Sequence, residues 1–155
     1  WSMAWGTRAA LAYSFLNSDK ILSAVFSDAS IASADVEAQR KGLKKAMARQ
    51  ELMGIQKFEL PKGWNEHINK KNADLSLTAA VKFNLDKAVS SISYPFLVMT
   101  GDHDPNLTSS KDIVSRSASG NLKILDDVGH GSVLQRPDLV LENFLSWHNL
   151  EILES

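Results

Sequence analysis

The hydrophobic pattern divides the chain into short apolar runs and longer stretches of helical composition. The run at 95–100 is apolar nearly throughout, which is typical of a parallel strand covered on both faces. Buried strands are predicted at Ile21 to Ser27, Pro95 to Thr100 and Leu122 to Leu125. Helices are predicted over residues 6–17, 34–57 (as one helix or a pair), 76–83, 107–117 and 137–148, and a polar loop over 61–73.

The predicted elements alternate along the chain as helix, strand, helical insert, strand, helix, strand and helix. Strands that alternate with helices favour an α/β fold with a parallel sheet. A sheet of three strands keeps an unpaired inner edge. We therefore expect a partner half of the domain to be missing from this chain, and its first residue is indeed Trp1 rather than Met.

Composition narrows the possible functions. The 155 residues carry 17 basic and 18 acidic side chains, a net charge of -1, so neither nucleic acid nor an anionic membrane is an expected partner. The chain has no cysteine, which excludes disulfides and thiolate metal sites. Its apolar runs are far shorter than the roughly 20 residues of a membrane span. This composition is compatible with the cytosol, and we expect a cytoplasmic protein.

Two predicted strands lead directly into loops that carry acidic and histidine side chains. Thr100 ends the clearest strand, and Gly-Asp-His-Asp-Pro follows at 101–105. The next strand leads into Asp-Asp-Val-Gly-His-Gly-Ser at 126–132, where His130 stands between two glycines. Sites gather beyond the carboxyl ends of parallel strands. An Asp and a His therefore meet at one edge, as a Ser-His-Asp relay requires.

These segments resemble those that carry the catalytic acid and the catalytic histidine of α/β-hydrolases. In Tyr-Pro-Phe-Leu-Val-Met-Thr-Gly-Asp-His-Asp-Pro (94–105), the family's acid stands three residues after the glycine, at Asp104. In Val-Gly-His-Gly-Ser-Val-Leu-Gln-Arg-Pro-Asp-Leu-Val (128–140), the catalytic histidine is His130. The order nucleophile, Asp, His also agrees with that fold.

The resemblance covers nearly the whole chain and implies a partial α/β-hydrolase that begins at the nucleophile. It divides the chain into core residues 1–30, a helical cap insert over 31–91, and core residues 92–155. The insert is where the family places a variable cap over the site. The N-terminal half of the domain, with the first part of the sheet, is expected to be missing.

The nucleophile position is open to two interpretations. The family's motif is G-x-S-x-G, with small residues flanking a strained turn between a strand and a helix. In the first register Ser2 is the nucleophile, Ala4 is the small residue after it, and Trp5 with Gly6 is a short insertion. In the second register Ser2 and Gly6 are the flanking residues, and Ala4 stands where the serine should be. The second register implies an inactive enzyme or an engineered Ser-to-Ala change. The intact Asp and His favour the first.

With Ser2 as the nucleophile, the resemblance implies a serine hydrolase of small-molecule esters or related acyl bonds. His130 takes the Ser2 proton, Asp104 orients His130, and an acyl-enzyme forms and is hydrolysed. The backbone N–H of Met3 gives one half of the oxyanion hole, and the other half belongs to the missing part of the domain. No cofactor or metal is implied. The alternative is a non-catalytic relative, with Ala4 at the nucleophile position, that binds a ligand or partner.

Several candidate side chains have other interpretations. Asp102 is an alternative acid, and Asp104 alone would suit a helix cap. Three consecutive residues rarely all face one ion, so Asp102, His103 and Asp104 do not predict a metal site. We expect His103 and the pair at 126–127 to be solvated.

Two arginines and three apolar residues are candidates for contacts with a ligand. Arg8 and Arg49 would suit a substrate carboxylate, although such residues more often form surface ion pairs of little energetic weight. Phe58, Leu60 and Trp64 are candidates to line a pocket under the cap.

Overall fold

The computed structural model describes residues 1–63, 66, 71–72, 75 and 82–149. The strands are β1 (Ser2–Met3), β2 (Ala24–Ser27), β3 (Phe96–Gly101) and β4 (Gly120–Leu125). The helices are α1 (Trp5–Leu16), α2 (Val36–Leu52), α3 (Leu85–Ser90), α4 (Leu107–Ser115), α5 (Ser132–Gln135) and α6 (Pro137–His148), with a 3₁₀ turn at Ser18–Lys20. Among these helices none is long and apolar enough to cross a bilayer.

The four strands form one parallel sheet in the order β1-β2-β3-β4. Phe26 of β2 is set beside Ser2 of β1 and Val98 of β3. β4 pairs with all of β3, from Phe96 opposite Gly120 to the ends of both strands. The parallel sheet with flanking helices confirms the predicted α/β class. β1 is missing from the sequence-based prediction because two residues are too few to show a periodic pattern.

Both faces of the sheet are covered by apolar side chains. Phe96 and Val98 point to one face of β3, Leu97 and Met99 point to the other, and all four are 0% exposed. The first face packs against α1, α3 and α4 through Leu11, Leu85, Val89 and Ile113. The second face packs against α6 through Val140 and Trp147. This two-sided burial explains why the run at 95–100 shows no alternation of polar and apolar residues.

Helix α2 is one continuous helix, whereas the sequence was compatible either with one helix or with a pair of helices. Asp35 caps its start, because the carboxylate accepts a hydrogen bond from the N–H of Ala38 at 2.9 Å. Gly54 follows its end with a φ of 70°, a conformation that favours glycine. The helix predicted at 76–83 lies mostly outside the described residues. Helix α3 comes directly after that region and is not predicted from the sequence.

Gly42 lets the backbone of α2 rest on two loops at the edge of the sheet. A Cβ added to Gly42 would lie 1.9 Å from the carbonyl oxygen of His103, and one added to Gly129 would lie 2.7 Å from Cα of Leu43. Real Cβ atoms essentially never approach another heavy atom within 3.0 Å. Helix α2 is therefore seated directly on the loops that follow β3 and β4.

Replacing Gly42 by alanine tests this seating. Within an exposed helix the change from Gly to Ala stabilises a protein by about 0.5–1 kcal/mol. Here the new methyl group would meet the backbone of His103, so we expect the free energy of unfolding to fall by about 1–3 kcal/mol. Urea denaturation measures the change, with Lys45→Ala at an exposed position of the same helix as the matched control. A stabilised Gly42→Ala variant would show that α2 does not rest on this loop.

Candidate active site

Strand β1 passes into helix α1 through a single residue, Ala4. Its dihedral angles are φ 48° and ψ -114°, which a residue other than glycine adopts only under strain. The Ala4 N–H donates to the carbonyl of Ser27 at 2.8 Å, and the Ala4 carbonyl accepts from Thr7 N–H at 3.1 Å. Two small residues, Ser2 and Gly6, flank the turn, and a Cβ on Gly6 would lie at ordinary van der Waals distance, 3.9 Å, from Cβ of Ser2. A strained turn flanked by two small residues has the form of a nucleophile elbow with Ala4 at its tip.

Ser2, the nucleophile of the first register, lies inside β1. Its hydroxyl donates to Oγ1 of Thr7 at 3.3 Å. Because β1 ends at Met3 and α1 begins at Trp5, Ala4 is the residue left for the turn. In this geometry Ala4 stands at the tip of the turn, where the second register places it, and Ser2 does not. The residue after Ala4 is Trp5 rather than Met3, and its N–H lies in the first turn of α1, where helix N–H groups lack intrahelical acceptors.

The loops after β3 and β4 bring Asp104 and His130 together. Oδ2 of Asp104 lies 3.0 Å from Nδ1 of His130. The Asp104 side chain is 0% exposed and the His130 side chain is 22% exposed. A buried carboxylate at Nδ1 favours the tautomer in which Nδ1 carries the proton. Nε2 is then the nitrogen that can accept a proton from a nucleophile or bind a ligand.

Asp104 is held in place by its own loop. The Thr100 hydroxyl donates to Oδ2 at 3.3 Å, and the Asn106 N–H donates to Oδ1 at 2.9 Å. Asp104 therefore also organises the turn that leads into α4. Asp102 points elsewhere, since its Oδ1 accepts a hydrogen bond from Val128 N–H at 3.2 Å. Of the two candidate acids, Asp104 is the one that contacts His130.

A second buried carboxylate, Asp28, holds the loop that carries His130. Asp28 directly follows β2, is 0% exposed and has a φ of 54°. Its Oδ2 accepts hydrogen bonds from Gly131 N–H at 3.1 Å, from Ser132 N–H at 2.8 Å and from the Ser132 hydroxyl at 3.0 Å. Sequence reasoning missed Asp28, although it carries the signal that singled out Asp104, an acidic residue directly after an apolar strand.

The two carboxylates and the imidazole perturb one another. Burial first, and then the negative charge of Asp104, raise the pKa of Asp28 to about 7, against the opposing effect of its hydrogen bonds from Ser132. Burial lowers the pKa of His130, but the hydrogen bond to Asp104 and the charges of both carboxylates outweigh it, so that this pKa is raised. Asp28 therefore titrates near neutral pH beside an imidazole whose protonated form is favoured.

The imidazole of His103 lies under α2 rather than in solvent. Its side chain is 14% exposed, and its Nε2 is 3.5 Å from Oδ1 of Asp127, which is also paired with Arg49 of α2. His103 and Asp127 were expected to be solvated; they are mostly buried because Gly42 seats α2 over them. Asp102, His103 and Asp127 place ligand atoms within 4.8 Å of one another. Arg49 already neutralises Asp127, so this cluster fastens α2 and does not argue for a metal.

Two cavities meet at Ala4 and His130. The larger has a volume of about 700 Å³ and holds polar side chains, among them Arg8, Ser30, Gln39, Lys82, Asn84 and Asn106. The smaller has a volume of about 390 Å³ and is mainly apolar, with walls formed by Met3, Leu43, Met47, Phe58, Leu60 and Leu134. Phe58 and Leu60 thus line a pocket as predicted, and Trp64 lies outside the described residues. A ligand that spans both cavities would pass between the turn at Ala4 and the imidazole.

No family model and no curated protein matches this sequence. Solved structures do match. Est816, described as an N-acyl homoserine lactone degrading enzyme, is 19% identical with a TM-score of 0.63, over 92% of this chain and 64% of that chain. The enol-lactonase from Burkholderia xenovorans LB400 is 15% identical with a TM-score of 0.60, over 94% and 63%. Rv0554 from Mycobacterium tuberculosis is 18% identical with a TM-score of 0.57, over 93% and 62%.

These likenesses show that the chain has the α/β-hydrolase fold, and they confirm the fold implied by the Asp and His segments. The similar structures include a lactone-degrading enzyme, an enol-lactonase and an esterase, all of them hydrolytic enzymes. The chain spans less than two thirds of the length of the three structures described. At such low identity the likeness concerns the fold, and the activity has to be argued from the site.

The electrostatic coupling of Asp28 to His130 can be measured directly. We expect Asp28→Asn to lower the pKa of His130, because the negative charge of Asp28 favours the imidazolium. NMR titration of the His130 ring protons measures this pKa, with Asp19→Asn at an exposed position as the control. An unchanged His130 pKa in Asp28→Asn would contradict the coupling.

The raised pKa of Asp28 also predicts a pH dependence of stability. Its pKa is about 7 in the folded chain against an ordinary value of 3.8, so between pH 4 and pH 7 the folded chain holds a proton that the unfolded chain has released. The contribution of Asp28 to the free energy of unfolding is therefore present below about pH 4 and is lost as the pH rises to about 7. The free energy of unfolding of the native chain minus that of the Asp28→Asn variant, measured by urea denaturation, should fall as the pH rises across this window. A difference that rises with pH would contradict the assignment.

Proposed function

We propose that this chain is a non-catalytic relative of serine hydrolases that binds a small-molecule ester or related acyl compound. The ligand occupies the two cavities, and its carbonyl group lies between the turn at Ala4 and the imidazole of His130. The nucleophilic hydroxyl is missing because Ala4 occupies the nucleophile position. No acyl-enzyme forms, and the bound ester stays intact.

The observation that carries this proposal is the backbone at Ala4. A φ of 48° and a ψ of -114° in a residue other than glycine mark a strained turn, and such turns persist where the surrounding structure fixes them. The side chain at this position lines both cavities together with His130. An alanine methyl group cannot attack a carbonyl carbon, so the relay ends at the imidazole.

The remaining groups suit a carbonyl ligand. The N–H of Trp5, at the start of α1, is available to a carbonyl oxygen, and the positive end of the helix dipole lies there. His130 lines the same space, and Oδ2 of Asp104 lies 3.0 Å from its Nδ1, which leaves Nε2 for the ligand. We propose that the missing half of the domain supplies a second donor to the carbonyl oxygen.

A serine hydrolase that uses Ser2 is the second candidate, and the retained Asp104–His130 pair favours it. For this function the Ser2 hydroxyl would have to leave Thr7 and reach the imidazole from within β1. The strand pairing of Ser2 opposes such a movement. We therefore rank binding without acylation above hydrolysis for this chain.

Introducing a hydroxyl at the turn tests the proposal. We expect Ala4→Ser to cleave 4-nitrophenyl butyrate with a burst of 4-nitrophenol. Loss of a complete triad costs about 10⁶ in rate and loss of one oxyanion donor costs about 10²–10³. Ala4→Ser should therefore exceed the native chain by about a thousandfold, even without a second donor.

Two controls separate the candidates. Ser2→Ala in the native chain should leave the background rate unchanged, and Asp104→Asn in the Ala4→Ser variant should remove most of the gain, because the imidazole loses its orienting carboxylate. The proposal is wrong if the native chain cleaves the ester with a burst that Ser2→Ala abolishes.

A further inference from the structure

Arg8 is a buried cation on the wall of the larger cavity. It lies on α1 one helical turn after Ala4, and its residue is 8% exposed. It lines the cavity together with Ala4, Asn106 and His130. Burial lowers the pKa of its guanidinium, which means that the charge is unfavourable where it stands. Buried arginines are as a rule paired with an anion.

Among the residues that the structure describes, Arg8 contacts a carbonyl group and an aromatic ring but no carboxylate. One N–H of the guanidinium donates to the carbonyl of Ala32, and the group lies over the Trp5 ring at 4.6 Å from the centroid. Within the described part of the chain, no carboxylate lies at ion-pair distance from Arg8. Asp86 lines the same cavity but is 74% exposed and is already bound by Arg116 at 2.7 Å.

The two cavities differ in character on either side of the turn. The larger one contains the guanidinium of Arg8 and a second cation, the exposed Lys82, beside apolar side chains such as Ile31 and Phe83. The smaller one has apolar walls from α2 and from the chain that follows it, including Leu43, Met47 and Phe58. A ligand that is apolar at one end and anionic at the other would complement both cavities.

We infer that the larger cavity binds the carboxylate of an amphiphilic ester, with Arg8 as the anchor of that carboxylate and the apolar end of the ester in the smaller cavity. The planar guanidinium matches a carboxylate in geometry and carries five N–H donors, so its bond to Ala32 leaves others free. The ester carbonyl then lies at the junction, beside Ala4 and His130. This inference rests on the proposed function and specifies the class of ligand.

Two matched esters test the inference on the native chain. Monohexyl succinate carries an apolar tail, an ester and one carboxylate, and hexyl methyl succinate has the same skeleton without the charge. Because the chain lacks a nucleophile, the dissociation constants of the intact esters can be measured by NMR titration at pH 7.5. A hydrogen-bonded charge pair favours the charged ester, and we expect it to bind about tenfold more tightly.

Variants at Arg8 assign the preference to this side chain. Arg8→Gln should bring the ratio of the two dissociation constants close to one. Arg8→Lys should keep part of the preference for the charged ester, since the positive charge remains but the planar guanidinium that binds a carboxylate through two N–H groups is lost. Arg40→Gln, on the exposed side of α2, is the matched control and should keep the full ratio. A merely structural role of Arg8 would weaken the binding of both esters and leave the ratio unchanged.

The possible outcomes separate the two proposals. Equal binding of both esters by the native chain overturns the carboxylate site and leaves the proposed function standing. A preference that persists in Arg8→Gln overturns Arg8 as its anchor. If neither ester shifts the NMR signals of His130 and Trp5, the chain binds no ester at this site. That result overturns both proposals.

Discussion

The parallel pairing of β1 to β4 brings the carboxyl ends of four strands to one edge of the sheet. Each strand is followed by one residue of the site: Ala4, Asp28, Asp104 and, after a short loop, His130. The pairing that buries β3 on both faces therefore also sets the positions of these side chains. Since they follow the strands at once or after a few residues, little freedom remains to move one without disturbing the core.

Two buried carboxylates with different roles position the imidazole of His130. Asp104 binds the ring nitrogen of His130 directly, while Asp28 binds the backbone of the two residues after it. The first contact orients the ring and the second fixes the loop that carries it. Helix α2 closes the arrangement from above, because Gly42 lets it rest on the loops after β3 and β4. The mutual repulsion of the carboxylates is offset by the imidazolium that they favour.

Sequence reasoning predicts much of this arrangement and misses parts of it for physical reasons. The apolar run at 95–100 predicts a strand buried on both faces, and the loops after it and after β4 predict an Asp and a His at one edge. Which residue stands at the tip of the turn between β1 and α1 depends on the dihedral angles of one residue, and composition does not encode them. From the sequence alone, Ser2 and Ala4 therefore both remain candidates for the nucleophile position. Asp28 offers the same signal as Asp104 but belongs to no motif.

Gly42 illustrates a second limit. From the sequence it is a weak point within a helix, because glycine lowers helix propensity. In the structure it is the contact that seats α2 on the site, and this depends on the carbonyl of His103, which lies 61 positions further along the chain. Such contacts between distant segments are invisible to local patterns of hydrophobicity and propensity.

The central claim is that Ala4 occupies the nucleophile position and that this chain has no activated serine. Intact-mass spectrometry of the native chain after incubation with a fluorophosphonate tests it most directly, with Ala4→Ser as the positive control. The account predicts no covalent adduct on the native chain and one adduct on the variant. An adduct on the native chain that tandem mass spectrometry maps to Ser2 would contradict it.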